Sequence, residues 1–171
     1  LSEIRDRVKD LRRVPASSLK RNPENWRTHP EAQSAGLSAM LERVGISGAV
    51  VARELPDGSL ELIDGHLRAE TLGDREIPVL VLDVDEAEAR ALLATYDPIG
   101  DMAGADSGRL AALVAAMGPT SAPLDAFLAA IIEDAAPPPA VEPPAEFPEL
   151  DENLETNVSC PKCGFAWSAP K

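Results

Sequence analysis

Cysteine is nearly missing from this chain of 171 residues, in which Cys160 and Cys163 are the only two. Two thiols so close together cannot build a disulfide framework, so a reducing, cytoplasmic compartment is expected. Aromatic residues are also scarce, at 4%. The hydrophobic share of 44% still supplies a single core, which must be built mainly from Leu, Val, Ile and Ala. No apolar run approaches the ~18 to 20 residues of a membrane span, and the first residues lack a signal-peptide core, so no membrane partner is expected. The chain opens on Leu1 rather than Met, and residues ahead of it are expected.

Basic charge is in short supply too. Lys and Arg number 16 against 29 Asp and Glu, a net charge of −13. That excludes coating DNA by electrostatics alone, which depends on cations neutralising backbone phosphates. The distribution is uneven, however. Residues 1–30 hold 8 Lys/Arg against 4 Asp/Glu, leaving 8 basic and 25 acidic residues after them. A basic N-terminal arm or helix over residues 1–13 is thus a candidate contact for nucleic acid or nucleotide, the plainer alternative being a solvated helix end.

Along the chain, Ile4, Val8 and Leu11 are spaced for a short amphipathic helix over residues 3–13. Val14 to Leu19 reads as extended, and Arg21-Asn22-Pro23 forces a turn. Pro30-Glu31 opens a helix whose apolar face is Leu37, Met40, Leu41 and Val44 and which ends at Gly45. Ala49 to Ala52 and Leu60 to Ile63, around Pro56-Asp57-Gly58, form a strand pair. A helix from His66 to Leu72 ends at Gly73; Ile77 to Leu82 is a buried strand, and Glu86 to Tyr96 a further helix. The order predicts an α+β domain with a small mixed sheet. Two Ala/Leu-rich helical segments follow at residues 107–117 and 124–134, packing on the domain or on a partner. Residues 135–157, rich in Pro, Glu and Asp, read as an extended acidic linker.

The junction Ile63-Asp64-Gly65-His66-Leu67-Arg68 turns a strand into a helix. Free N–H groups at a helix start, a glycine that admits close approach and the Arg68 fork together suit a phosphate. The competing reading is a glycine turn with a solvent-facing His66 and an Arg68 paired to Glu70 or Asp64. Asp64 and His66 are also candidates for catalysis, as a metal pair or as a general base with its orienting carboxylate, although a structural or phosphate-contact role for His66 is preferred. His29 reads as a loop residue, and Arg27 as the second phosphate contact.

Leu19-Lys20-Arg21-Asn22-Pro23, then Asn25 and Arg27, precede this box by one helix and one strand pair, and Ile77-Pro78-Val79 follows it. Together they resemble the ParB/sulfiredoxin superfamily, over about half the chain. The resemblance implies a ParB N-terminal/sulfiredoxin-like domain at residues 14–97, with a helical extension at 98–134. It further implies that the Gly65 to Arg68 box binds nucleoside triphosphate, CTP as in partition proteins or ATP as in sulfiredoxins and related kinases, with Mg, and that Arg27, Gly65, His66 and Arg68 contact it. The chain departs from both branches. His66 stands where sulfiredoxins carry a reactive Cys, so sulfinic acid reduction is not expected. The box is Gly-His-Leu-Arg rather than Gly-Glu-Arg-Arg and no helix-turn-helix is evident, so a sliding DNA clamp is not expected either.

The nearest pattern is that of short ParB-like proteins of phages and mobile elements, often labelled nucleases. Those commonly end the helix after the Ile-Pro-Val strand on Asp-Asn; here it is Asp97-Pro98. Residues 158–171 hold Cys160-Pro161-Lys162-Cys163-Gly164, half of a tetrahedral zinc site, which would need ligands from elsewhere to close. Three functions are therefore weighed: a nucleotide-binding module in DNA transactions, acting on DNA directly or through a partner, with a homodimer as one option; a metal-dependent nuclease using Asp64 and His66; and an adapter recruiting a partner through its acidic tail and Cys knuckle.

Overall fold

The computed structural model describes residues 4–136 and 156–167. It divides into two units, Leu1–Ala136 and Pro137–Lys171. Most of the expected linker at 135–157 lies outside the described residues.

The front unit is organised around the strand Glu76–Leu82. In chain order its strands are β1 (Val8–Pro15), β2 (Val50–Glu54), β3 (Leu60–Asp64) and β4 (Glu76–Leu82). Their order in the sheet is β1-β4-β2-β3, with β4 parallel to β2 and antiparallel to β1. The interior position explains the nearly unbroken apolar sequence of β4, since both of its faces are covered. Ile77, Val79 and Val81 are fully buried on one face with Val50, Ala52, Leu60 and Leu62. Leu80 and Leu82 join Val51 and Ile63 on the other. Pro78 is tolerated because pairing with β2 begins only at Val79, and its missing N–H interrupts no bond to that strand.

Helices close both faces. Helix α2 (His66–Leu72) and a 3-10 turn at Ala16–Ser18 bring Ala69, Leu72, Ala16 and Leu19 to the first cluster, and Leu41 of α1 (Glu31–Val44) packs against it. Helix α3 (Glu86–Asp101) brings Ala89 and Leu92 to the second. It starts on a capping box in which Asp85 and Glu88 satisfy each other's backbone amides. Beyond it lie α4 (Ser107–Ala116) and α5 (Ala122–Asp134). Leu124 of α5 is buried, and Arg43 of α1 donates to the carbonyls of Met117 and Pro119, tying the link between α4 and α5 to α1. The helical extension therefore packs on the domain itself.

Three expectations are corrected. Of the helix expected at 3–13, the described residues 4–13 form neither a helix nor a free arm; from Val8 they enter the sheet as β1, so the domain begins ahead of residue 14. The edge that β4 would otherwise leave open outweighs the helical spacing, and four of the basic residues are paired inside the chain, Arg5 and Arg7 with Glu88, Lys9 and Arg12 with Glu54. The apolar face of α1 keeps Leu37, Met40 and Leu41 half-buried but is centred on the buried Gly36 and Ala39, and Val44 is exposed. A Cβ on Gly36 would stand 2.6 Å from Phe127 Cγ, so this glycine lets α5 approach. Finally α3 does not stop at Tyr96 but runs through Pro98 to Asp101.

The described part of the rear unit is a hairpin of β5 (Val158–Ser159) and β6 (Ala166–Trp167), joined by the turn that carries both cysteines.

Candidate functional site

A cleft of about 340 Å³ opens where β3 passes into α2, within the size range of small-ligand sites. Its lining includes Arg27, Asp64, Gly65, His66 and Arg68, so the structure brings the front-unit candidates together. Asp97 of α3, the corner named beside Pro98, lines the cleft too, and the fold adds Phe127 of α5, which the sequence did not assign to this site.

Gly65 has φ 88° and ψ 25°, and its carbonyl receives the Ala69 amide to close the first turn of α2. Left-handed backbone alone favours glycine. Packing adds a second reason, because a Cβ here would lie 2.5 Å from Val50 Cγ1. The glycine is thus required by the passage over β2, whatever approaches from the cleft.

Arg68 pairs with neither Glu70 nor Asp64. One guanidinium nitrogen donates to the Ala49 carbonyl at 3.0 Å, which holds the fork beside the start of β2. Five donors sit on that fork, so one backbone bond positions it without exhausting it. Glu70 pairs instead with Arg21.

His66 is buried, at 7% exposure, rather than facing solvent. Its Nε2 is enclosed and has no hydrogen-bond partner among the described residues. Burial, seconded by the charge of Arg21, lowers its pKa below the usual histidine value against the opposing pull of Asp64, so the ring is neutral near pH 7. No hydrogen bond joins His66 to Asp64 among the described residues, so the base-and-orienter pair is not formed in this arrangement.

His29 is half-buried, not a plain surface residue. Gln33 Oε1 lies 3.0 Å from its Nδ1 and can only accept, so Nδ1 donates. The Nε2 is again buried and unpartnered among the described residues. Arg27 reaches the cleft already engaged: its Nε lies 3.1 Å from Asp97 Oδ2 and a terminal nitrogen 2.8 Å from Asp101 Oδ2. The Asp101 hydrogen bond is the main cause of its raised pKa. Its guanidinium also stacks 4.9 Å from the Trp26 ring centroid. The spacing of Asp97 and Asp101 by four was the available signal for this pairing. No local signal announced Phe127.

In the rear unit the Cys160 amide donates to the Phe165 carbonyl at 2.8 Å and the Gly164 amide to the Cys160 carbonyl at 2.9 Å, with Gly164 at φ 73°. The amides of Lys162 and Cys163, and then the Cys163 thiol, draw the Cys160 thiol pKa below its ordinary value. Among the described residues no three His, Cys, Asp or Glu are grouped to hold a metal ion, and no helix is long and apolar enough to cross a membrane.

No family model and no curated protein matches the chain. Solved structures do. The C-terminally truncated chromosome-partitioning protein ParB of Caulobacter crescentus, complexed with CTP-γ-S, is 20% identical, with a TM-score of 0.52, over 70% of this chain and 71% of that one. Sulfiredoxin of Arabidopsis thaliana is 18% identical with a TM-score of 0.42, over 50% of this chain and 98% of that one. A Pnob8-like ParB-N domain is also 18% identical, at 0.42, over 54% of this chain and 39% of that one. The mixed sheet with its covering helices has the fold of the C-terminally truncated Caulobacter ParB structure.

Proposed function

We propose that the cleft binds a nucleoside triphosphate, with Arg68 and Arg27 on its phosphates and the neutral His66 ring as a hydrogen-bonding partner, in a protein acting in cytoplasmic DNA transactions such as partition, processing or modification. The observation that carries this is the convergence of Arg27, Gly65, His66 and Arg68 on one cleft, in which the buried Nε2 of His66 lacks a partner among the described residues. Such an atom forfeits a hydrogen bond unless a ligand or water supplies one. CTP is the first candidate because the Caulobacter protein of the same fold was solved with a CTP analogue. A role on DNA follows the same likeness, since that neighbour is a chromosome-partitioning protein, and the contact runs directly or through a partner rather than through a free basic arm, since Arg5, Arg7, Lys9 and Arg12 are paired within the chain.

The test is a thermal-shift panel of CTP, ATP and GTP with and without magnesium, since a ligand that binds only the native state raises its melting temperature. CTP should raise Tm in the parent and in the exposed control Arg109→Ala, and the rise should disappear in Arg27→Ala and Arg68→Ala. A panel with no shift, or a shift that survives both cleft substitutions, refutes the reading.

A further inference from the structure

We infer that Phe127, brought to the cleft by the helical extension, is the platform on which the base of the bound nucleotide stacks, a step that rests on the nucleotide reading above and assigns α5 to the ligand site.

The seat of the ring is set by the sequence of α1. Gly36 lies inside that helix, where glycine weakens helical structure more than any residue but proline. Its benefit is closeness. A Cβ here would stand 2.6 Å from Phe127 Cγ, 2.8 Å from Cδ2 and 3.0 Å from Cδ1. Near-equal distances to three neighbouring ring atoms mean that the backbone of α1 meets the face of the ring, not its edge. Leu124, one turn earlier in α5, is 1% exposed, and Arg43 of α1 donates to the carbonyls of Met117 and Pro119 just ahead of that helix. The ring is thereby held flat at a fixed depth.

Complete burial would make this an ordinary contact between helices, yet Phe127 stays half-buried and lines the cleft. Leu37 and Met40 of α1 line it as well, so the wall made by α1 and α5 is apolar. Arg27 and Arg68 border the same cleft. A ligand that satisfies both kinds of lining joins a planar ring to an anion, and a nucleotide does so. Stacking on an aromatic side chain uses the π-face that every base has. Tyr96 of α3 lines the cleft too but is 48% exposed, whereas Phe127 is fixed against helix backbone, which makes it the platform.

The test is titration calorimetry of the full-length protein with CTP and with inorganic tripolyphosphate, which has the charge but no ring. Phe127→Leu keeps apolar volume and removes the flat face, Phe127→Tyr keeps the face, and circular dichroism checks each fold; should Phe127→Leu not fold, Phe127→Met takes its place. Phe127→Leu is expected to weaken CTP roughly 5- to 150-fold, the range of base stacking on an aromatic side chain, and to leave the response to tripolyphosphate as in the parent. Phe127→Tyr should bind CTP like the parent. If Phe127→Leu binds CTP as the parent does while Arg68→Ala abolishes binding, the platform is overturned and the phosphate reading survives. Equal weakening of CTP and tripolyphosphate by Phe127→Leu overturns the platform as well. Weakening of CTP by Phe127→Leu but not by Arg68→Ala upholds the platform and defeats the phosphate reading, and a parent that binds no CTP defeats both.

Discussion

Gly65→Ala isolates the contact that fixes the box against the sheet. Two costs are expected. A non-glycine residue in left-handed backbone costs about 1–2 kcal/mol, and Gly65 has φ 88°. Overpacking a filled site costs about 1–3 kcal/mol, and the new Cβ would stand 2.5 Å from Val50 Cγ1, 2.9 Å from its Cβ and 3.3 Å from its Cα. The backbone Cα cannot swing aside as a side chain can, so the two costs add to about 2–5 kcal/mol, a large share of the ~5–15 kcal/mol that holds a domain together. Gly58→Ala is the control, because Gly58 has φ 80° but no described atom within 4 Å of its would-be Cβ. It should lose only the backbone part. Urea unfolding followed by circular dichroism gives both midpoints, and an unchanged slope confirms that stability alone has altered. Combining Gly65→Ala with Val50→Ala removes the nearest methyl and should make the pair less destabilised than the sum of the two. Equal losses for Gly65→Ala and Gly58→Ala would refute the packing argument.

Two further outcomes follow from the charged and titrating groups. Burial lowers the His66 pKa in the folded state, so between that value and about 6.5 the unfolded chain binds the extra proton and stability rises with pH; it is fully present above about 6.5 and declines on acidification below it. His66→Leu should flatten that part of the profile when urea midpoints are compared from pH 5 to 8, and parallel profiles would count against it. Across β2 and β3, Arg53 is bonded twice to Glu61 Oε2, at 2.8 and 2.7 Å, with both side chains largely covered. Glu61→Ala strands the guanidinium and should cost about 2 kcal/mol in urea unfolding, whereas a loss within experimental scatter would show the pair to be inert.

The elements legible in the sequence are those whose signals are local. The turn at Pro56-Asp57-Gly58, the glycine on either side of α2 and the apolar run of β4 all specify their structure within a few residues, and β2, β3, α2 and β4 follow the reading closely. Strand β1 was illegible because nothing in Val8 to Pro15 records that β4 needs a second neighbour; Leu11 remains 63% exposed even in the strand. The end of α3 was misplaced because proline ends helices as a rule, yet another turn beyond Asp97 brings Asp101 to Arg27. The same division holds in the cleft. Gly65 to Arg68 announce themselves as one box, while His29, Asp97 and Phe127 come from separate segments and meet there only through tertiary packing.

Those late arrivals set the electrostatics of the cleft. Arg27, read from the sequence as a free phosphate contact, is shared between two carboxylates, so an incoming anion must take it from Asp97 and Asp101 while approaching both. Like charges confined to one cleft repel, and a triphosphate carries several. Either Arg27 leaves α3 for the ligand, or a divalent cation accompanies the phosphates and offsets the carboxylates. The two routes differ in their dependence on metal: the first gives equal shifts with and without magnesium, and the second gives a shift that magnesium enlarges. Arg68 needs no such exchange, because its structural bond is to a neutral carbonyl. Its contribution should therefore persist in both arms of the panel, and the contrast between Arg27 and Arg68 in the presence of magnesium tells which route the cleft takes.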